Sequence, residues 1–301
     1  MAIQVAQAVK ASQIARRRPK YCHVPVEGQQ TDQDEVVYLV AGLVQCGFPH
    51  SRQQTLVWTR SNRDCHLTLI GHPETGLPWG PLPRLILAHC IKHAKRYEQK
   101  KINLKNISSF MRSMGMQVTG GANGSINRVR EQIEALLRTH IEIKLDGFKR
   151  YEIKNSSFFS KGQICVGNKD GYLEFSDDFY EAIHKSAVPF DLVVLRKLKT
   201  SPLALDIYFW ASWRSYCMFS DKDSKTLVVS FDNFHGPKGQ TGAFYSGYGE
   251  NPAVKSRFVC AVKKVVKRIN AGDDLLLLSV NNSGLLLKAS PPRVRPREIC
   301  G

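Results

Sequence analysis

The residues of this chain best suited to chemistry are its cations, and they fall in blocks. Residues 1–30 hold five Lys or Arg and one acid, residues 76–160 fifteen and six, and residues 251–301 ten and three. The remaining segments, 31–75 and 161–250, together carry a net −3, within a whole-chain charge of +17. Blocks of this kind suit a polyanion, because each Lys or Arg that neutralises a phosphate releases a condensed counterion. Two of the blocks contain an amphipathic helix. Over 254–269, Val254, Phe258, Ala261, Val262, Val265 and Ile269 share one face, and Ser256, Arg257, Cys260, Lys263, Lys264 and Lys267 share the other. In the earlier block Ile126, Val129, Ile133, Leu136 and Leu137 line one helical face, with Asn127, Arg128 and Arg130 off it. An arginine can pair bidentately with a guanine edge, whereas lysines hold phosphates and position a protein without reading sequence. The candidate contacts are therefore Lys255, Ser256, Arg257, Lys263, Lys264 and Lys267 from the later helix, and Ser125, Asn127, Arg128 and Arg130 from the earlier one. Double-stranded DNA is the expected partner.

Other chemistries fit less well. Cys65, His66, His72 and Cys90 could be drawn together as a zinc site, but their spacing matches no common module. His89 and His93 stand at i and i+4 without an accompanying acid or third ligand, and read as helix surface. There is no HxH pair of the kind a DNA-cutting tyrosine enzyme needs for its metal. Gly236-Pro-Lys-Gly-Gln-Thr-Gly242 echoes a phosphate loop but lacks the Gly-Lys-Ser/Thr ending. No paired carboxylates sit in an apolar pattern. We therefore expect no enzyme activity, no cofactor and no metal. A nuclease or ATPase is the competing class, and a turnover assay on DNA or ATP separates it. The eight cysteines form no CxxC pair, the N-terminus lacks the charge order of a secretory signal, and no run of about 18 apolar residues occurs. Reduced thiols in a cytoplasm, with no membrane contact, are the expectation.

The elements that must position these residues are legible in outline. Residues 1–30 read as a basic, partly flexible arm. Asp34–Val44 has helical character, with Thr31 or Asp32 as its cap. Leu56–Trp58 and His66–Ile70 read as strands around a turn at Asn62–Asp64. Gln54-Thr-Leu-Val-Trp58 resembles a sliding-clamp-binding pentapeptide, and a buried strand is the simpler reading. After the rigid Gly76–Pro83 turn come helices over Arg84–Glu98, over Ile107–Met114, and from Ser125 as a cap, then strands Ile141–Leu145 and Arg150–Lys154 joined at Asp146-Gly147. A loop over Asn155–Gly171 leads to a strand at Leu173–Phe175. Helices then run from Ser176 to Ser186, from Pro189-Phe-Asp191 to Leu198, and over Leu203–Cys217. Val228–Phe231 is a strand or helix entry, and His235–Glu250 a loop. Strands Leu275–Ser279 and Gly284–Lys288 follow the basic helix.

Three helices and then a hairpin is the order of a winged helix, whose third helix enters the major groove. A helix followed by a hairpin occurs twice, at 125–154 and 253–288. The reading is α+β: two tandem winged-helix domains at 31–160 and 161–301, preceded by the arm.

Five blocks resemble the plasmid-encoded RepA family of replication initiators, relatives of TrfA-type proteins. They are Gly76-Leu-Pro-Trp-Gly-Pro-Leu-Pro-Arg-Leu-Ile-Leu-Ala88, Ile107–Met116 with Thr119-Gly-Gly121 and Ser125-Ile126, Val188-Pro-Phe-Asp-Leu192, Leu195-Arg-Lys-Leu-Lys-Thr-Ser-Pro-Leu-Ala-Leu-Asp-Ile-Tyr208, and Leu285-Leu-Leu-Lys-Ala-Ser-Pro-Pro292. The resemblance covers roughly residues 40–292. It implies binding to repeated origin sequences (iterons), local strand opening, and recruitment of host replication proteins: the initiator, the helicase and the sliding clamp. It also implies a dimer–monomer switch, although no heptad seam marks a homodimer. A transcriptional repressor without a replication role is the alternative.

Overall fold

The apolar periodicity of the longer helices and the alternation of the strands organise a mixed helix-and-sheet protein. The structure, a computed structural model, describes residues 23–24, 35–62, 65–104, 107–145, 151–164, 171–220, 226–231, 252–281, 283–291 and 294–296. The strands are β1 (His23–Val24), β2 (Val36–Val40), β3 (Val57–Asn62), β4 (Cys65–Ile70), β5 (Lys101–Leu104), β6 (His140–Leu145), β7 (Tyr151–Ser157), β8 (Phe159–Gln163), β9 (Gly171–Phe175), β10 (Ala187–Asp191), β11 (Thr226–Ser230), β12 (Leu278–Val280), β13 (Gly284–Lys288) and β14 (Arg295–Pro296). The helices are α1 (Ala41–Cys46), α2 (Leu82–Tyr97), α3 (Ile107–Ser113), α4 (Ser125–Leu137), α5 (Asp177–Ser186), α6 (Leu192–Leu198), α7 (Pro202–Ser220) and α8 (Pro252–Asn270). The expected arm (apart from β1), the Thr31 and Asp32 caps, the Asp146-Gly147 turn and the loop at 232–250 with its glycine-rich heptapeptide lie outside the described residues.

The chain runs twice through one order of elements. A strand and a short helix (β2–α1, then β10–α6) precede a long helix (α2, then α7), a strand (β5, then β11), a last helix (α4, then α8) and two closing strands (β8–β9, then β12–β13). Each half forms a three-stranded antiparallel sheet in which the first strand lies beside the third: β5-β9-β8 and β11-β13-β12. The first half carries two added strand pairs, which join into one four-stranded sheet of order β3-β4-β6-β7.

That sheet corrects one expectation. The hairpin β6–β7 does not close on α4 as its own unit. It extends the β3–β4 sheet, with Leu67 opposite Ile143 and Leu69 opposite Ile141, all four buried. The strands closing the first half are β8 and β9, and β8 falls within the segment expected to be loop.

The two halves meet directly. β2 pairs antiparallel with β10, with Val40 opposite Ala187 and Val36 opposite Asp191. All five residues of β2 are buried, which explains the second correction. Val36-Val-Tyr-Leu-Val40 is a short apolar run buried on both faces, a pattern that periodicity alone cannot separate from helix. The helix starts only at Ala41. β10 likewise takes Pro189–Asp191 out of the expected helix, and Asp191 caps α6 by accepting from the Val193 and Val194 amides. Ser176 caps α5 as expected, accepting from the Phe179 amide. The buried apolar residues form one cluster running from Val36 to Val294.

A buried ionic clasp also ties α2 to α7. The Arg84 guanidinium donates from Nε to Asp206 Oδ1 (2.5 Å) and from Nη2 to Oδ2 (2.6 Å), and also holds the Gly80 and Phe48 carbonyls. Arg84 and Asp206 are 1% and 2% exposed. His50 Nε2 lies 2.8 Å from Asp206 Oδ2. A carboxylate only accepts, so the neutral imidazole carries its proton on Nε2. Gly47, at φ +63, lets the chain pass this site, since a Cβ there would stand 2.8 Å from Asp206 Oδ2.

Candidate nucleic-acid interface

The sequence of α8 dictates its placement. Phe258, Val262, Val265, Val266 and Ile269 are buried, and each contributes about 1.5–3 kcal/mol by leaving water. Ser256, Arg257, Cys260, Lys263, Lys264 and Lys267 are thereby turned outward, and all six are exposed. No acidic residue occurs anywhere in the helix. Among the described residues Arg257, Lys263, Lys264 and Lys267 have no ion-pair partner. Lys255 belongs to the same helix, and its side chain lies outside the described residues.

The earlier helix differs. Gly124, not Ser125, is the N-cap of α4. The Ser125 hydroxyl instead donates to the Gln117 carbonyl and accepts from the Thr119 amide, while the Ser125 amide donates to Thr119 Oγ1. Asn127 Nδ2 donates to the Gly121 and Ala122 carbonyls, and its Oδ1 accepts from Arg130 Nη1 at 2.9 Å. Three of the four expected contacts thus brace the 117–124 loop or each other. Arg128 is exposed with no partner among the described residues. Along the same exposed line stand Glu131 and Glu134, which repel a phosphate backbone, so only the first turn of α4 suits DNA. Glu131→Gln should therefore tighten binding to duplex at low salt by about threefold, the size of one unit-charge repulsion roughly 6 Å away in water. The gain should vanish at high salt, and titrations at two salt concentrations check it.

Beside that first turn lies a cavity of about 560 Å³, lined among others by Trp79, Met111, Met116, Arg128 and Lys199. Two contacts around it escaped sequence reasoning. Arg196, at the end of α6, donates from Nε (3.0 Å) and Nη2 (2.8 Å) to the Ser113 carbonyl, and Lys199 donates to the Gly115 carbonyl. Arg268, in the last turn of α8, donates to the Lys197 carbonyl (2.9 Å) and lies 3.4 Å from Thr200 Oγ1. The block Leu195–Tyr208 stood out in the sequence, but these roles depend on carbonyls about 70–85 positions away in the chain.

The histidines and the candidate pentapeptide need correction. His89 is half-buried, its ring 4.9 Å from that of Phe110. Burial, with His93 and Lys92 adding to it, brings its pKa down to about 4. His93 packs against Tyr97. Neither is plain helix surface. Gln54–Val57 is exposed, with Val57 54% accessible, so this stretch is not a buried strand. Among the described residues no three His, Cys, Asp or Glu side chains converge as metal ligands. Cys65 instead meets Cys46, sulfur to sulfur at 3.6 Å, in the core. No described helix is long and apolar enough to cross a membrane.

The family model for plasmid encoded RepA protein matches residues 77–233, more than half of the chain and the whole stretch from α2 to β11. The chain belongs to this family of plasmid replication initiators. The matched segment covers α4 and the α6–α7 block but is shorter than the resemblance over roughly 40–292, so α8 and the block Leu285–Pro292 lie beyond it. No sequence among the curated proteins matches the chain. Among solved structures, that of domains 2 and 3 of RctB matches with a TM-score of 0.52 at 13% identity, covering 84% of this chain and 99% of that one. A second structure of RctB domains 2-3 matches with a TM-score of 0.50 at 14% identity, covering 83% and 97%. At that identity the likeness is one of fold. It extends over both halves of this RepA-family chain.

Proposed function

We propose that this RepA-family protein starts plasmid replication by binding repeated duplex sequences at the origin through two winged-helix units, built on residues 82–175 and 202–288. The observation that carries the reading is the exposed, acid-free cationic face of α8, seated by its other face in the core ahead of two closing strands. In each half the last helix stands between the first strand of a three-stranded sheet and the two strands that close it, the layout in which a winged helix offers that last helix to the major groove. Arg257 reads a guanine edge. Lys263, Lys264 and Lys267 hold phosphates, with Ser256 at the start of the same face. Arg128 leads α4 into a second groove, while Ser125, Asn127 and Arg130 hold its first turn in shape. Neighbouring protomers on adjacent repeats bend the duplex and strain an A·T-rich segment, whose flexible steps unstack at lower cost. Host initiator, helicase and clamp then act on the opened strand.

Arg257→Ala should weaken binding to the native repeat by roughly 1–3 kcal/mol and relax selectivity at one base pair. Binding to a panel of single-base-pair variants measures this, and unchanged selectivity would remove Arg257 from the reading face. The same face would also serve a repressor. Maintenance of a plasmid carrying only this gene and its origin distinguishes the two, because a repressor alone does not sustain replication.

A further inference from the structure

We infer that the segment Arg196–Thr200 is a spacing strap, which, on the frame set by the β2–β10 pairing and the Arg84–Asp206 clasp, holds the two reading helices in register with each other and so sets how far apart the two half-sites of a repeat must lie. The inference rests on the DNA-binding reading above.

The strap is gripped from both sides at helix ends. The last carbonyls of a helix have no partner within it and carry the negative end of its dipole, so a cation there gains twice. Arg196 and Lys199 take up the Ser113 and Gly115 carbonyls, which end α3 and begin the loop to α4. On the other side Arg268 takes the Lys197 carbonyl, in the last turn of α6. The end of α8 also packs closely there, since a Cβ on Gly272 would meet Lys197 Cδ at 3.4 Å and Val194 Cγ1 at 3.5 Å. The cavity beside the first turn of α4 is lined by Lys199 and Thr200 together with Ser125 and Arg128. One short strap thus grips the end of α3, faces the first turn of one reading helix across the cavity, and holds the end of the other.

The dimensions suit one duplex. Five residues span at most about 17 Å, and Lys263 stands about 10 Å along α8 from its last turn. The two reading helices are therefore joined through a link shorter than one turn of DNA, about 34 Å. Inserting two base pairs between half-sites moves them apart by about 7 Å and rotates them by about 70°. A rigid strap cannot follow that change, and the second contact is lost.

Hydroxyl-radical footprinting on origin DNA first defines the two protected segments. Binding is then measured on the native site and on sites with two base pairs inserted or removed between the segments. Wild type should lose about tenfold or more on either altered site. In Arg196→Ala and Arg268→Ala that penalty should fall to about threefold or less, with the native site bound nearly as well as before. Arg196→Lys should restore most of the discrimination. Lys199→Ala gives an independent variant should either arginine change impair folding, judged by thermal melting. Variants that melt normally and keep the wild-type penalty overturn the strap alone. A wild-type protein that protects no DNA overturns the DNA-binding reading and the strap with it.

Discussion

Asp206→Asn should destabilise the protein by about 3–5 kcal/mol, because it leaves the Arg84 guanidinium buried without its counter-charge. The pair is almost wholly enclosed, and every Arg84 nitrogen already has a partner it cannot exchange for water. The loss corresponds to a fall in Tm of roughly 10 °C, read by thermal denaturation. Replacing both partners, as Arg84→Met with Asp206→Leu, should recover much of it, since apolar residues of similar volume remove the desolvation penalty along with the attraction. The clasp also predicts acid lability. Burial alone would raise the Asp206 pKa, but Arg84 and His50 outweigh it and bring the carboxyl down to about 2, against about 3.9 in an unfolded chain. Its contribution is therefore complete above about pH 4 and is lost as the pH falls towards 2. Burial lowers the pKa of His50 despite Asp206, so keeping that ring neutral starts to cost stability once the pH falls below about 6.5. Melting curves between pH 7 and pH 3 should shift steadily downward, and in Asp206→Asn the part below pH 4 should flatten.

The triple change Lys263→Ala, Lys264→Ala and Lys267→Ala should leave folding intact and cripple DNA binding. All three side chains are exposed, and alanine is the better helix former. Each phosphate contact contributes about 0.9 to the slope of log K against log salt, so the slope should fall by about 2.7. At 0.15 M salt this amounts to roughly 10²-fold weaker binding, shrinking as salt approaches 1 M. Titration of origin DNA at four or five salt concentrations, beside a melting curve, checks both parts. A variant with an unchanged slope would place the phosphate contacts elsewhere.

The elements with a repeating signal were read correctly from sequence. The helices α2, α4 and α8 follow from apolar spacing, α5 from the Ser176 cap, and α7 from its Ser201-Pro202 start and its apolar, aromatic composition. The strand pairs β3–β4 and β12–β13 follow from the turns that join them, although β3 runs on to Asn62 and β12 starts only at Leu278. The failures share a cause, which is dependence on distant partners. β2 looks helical until β10 lies beside it. β8, Phe159-Ser-Lys-Gly-Gln163, buries only its first residue and is a strand because β9 pairs with it. The β6–β7 hairpin is legible, but which sheet it joins is not, since its outer partner β4 comes from about 70–80 residues earlier. The cationic face of α8 was fully legible, because a helix alone fixes which residues share a face. The face of α4 was only half legible. Nothing in Ser125 or Asn127 reveals that their polar groups are already engaged by the 117–124 loop, although the acids Glu131 and Glu134 are legible in the sequence.

The β2–β10 pairing has a consequence for how the chain is made. Val36–Val40 leaves the ribosome well before Ala187–Asp191 exists, and at about 5–20 residues per second the wait is roughly 7–30 s. Throughout it, five apolar residues that end up buried lack the strand that buries them. The first half of the protein therefore completes its fold only when synthesis has passed residue 191. A nascent chain that stalls before that point exposes a sticky β edge to chaperones, to proteases and to other copies of itself.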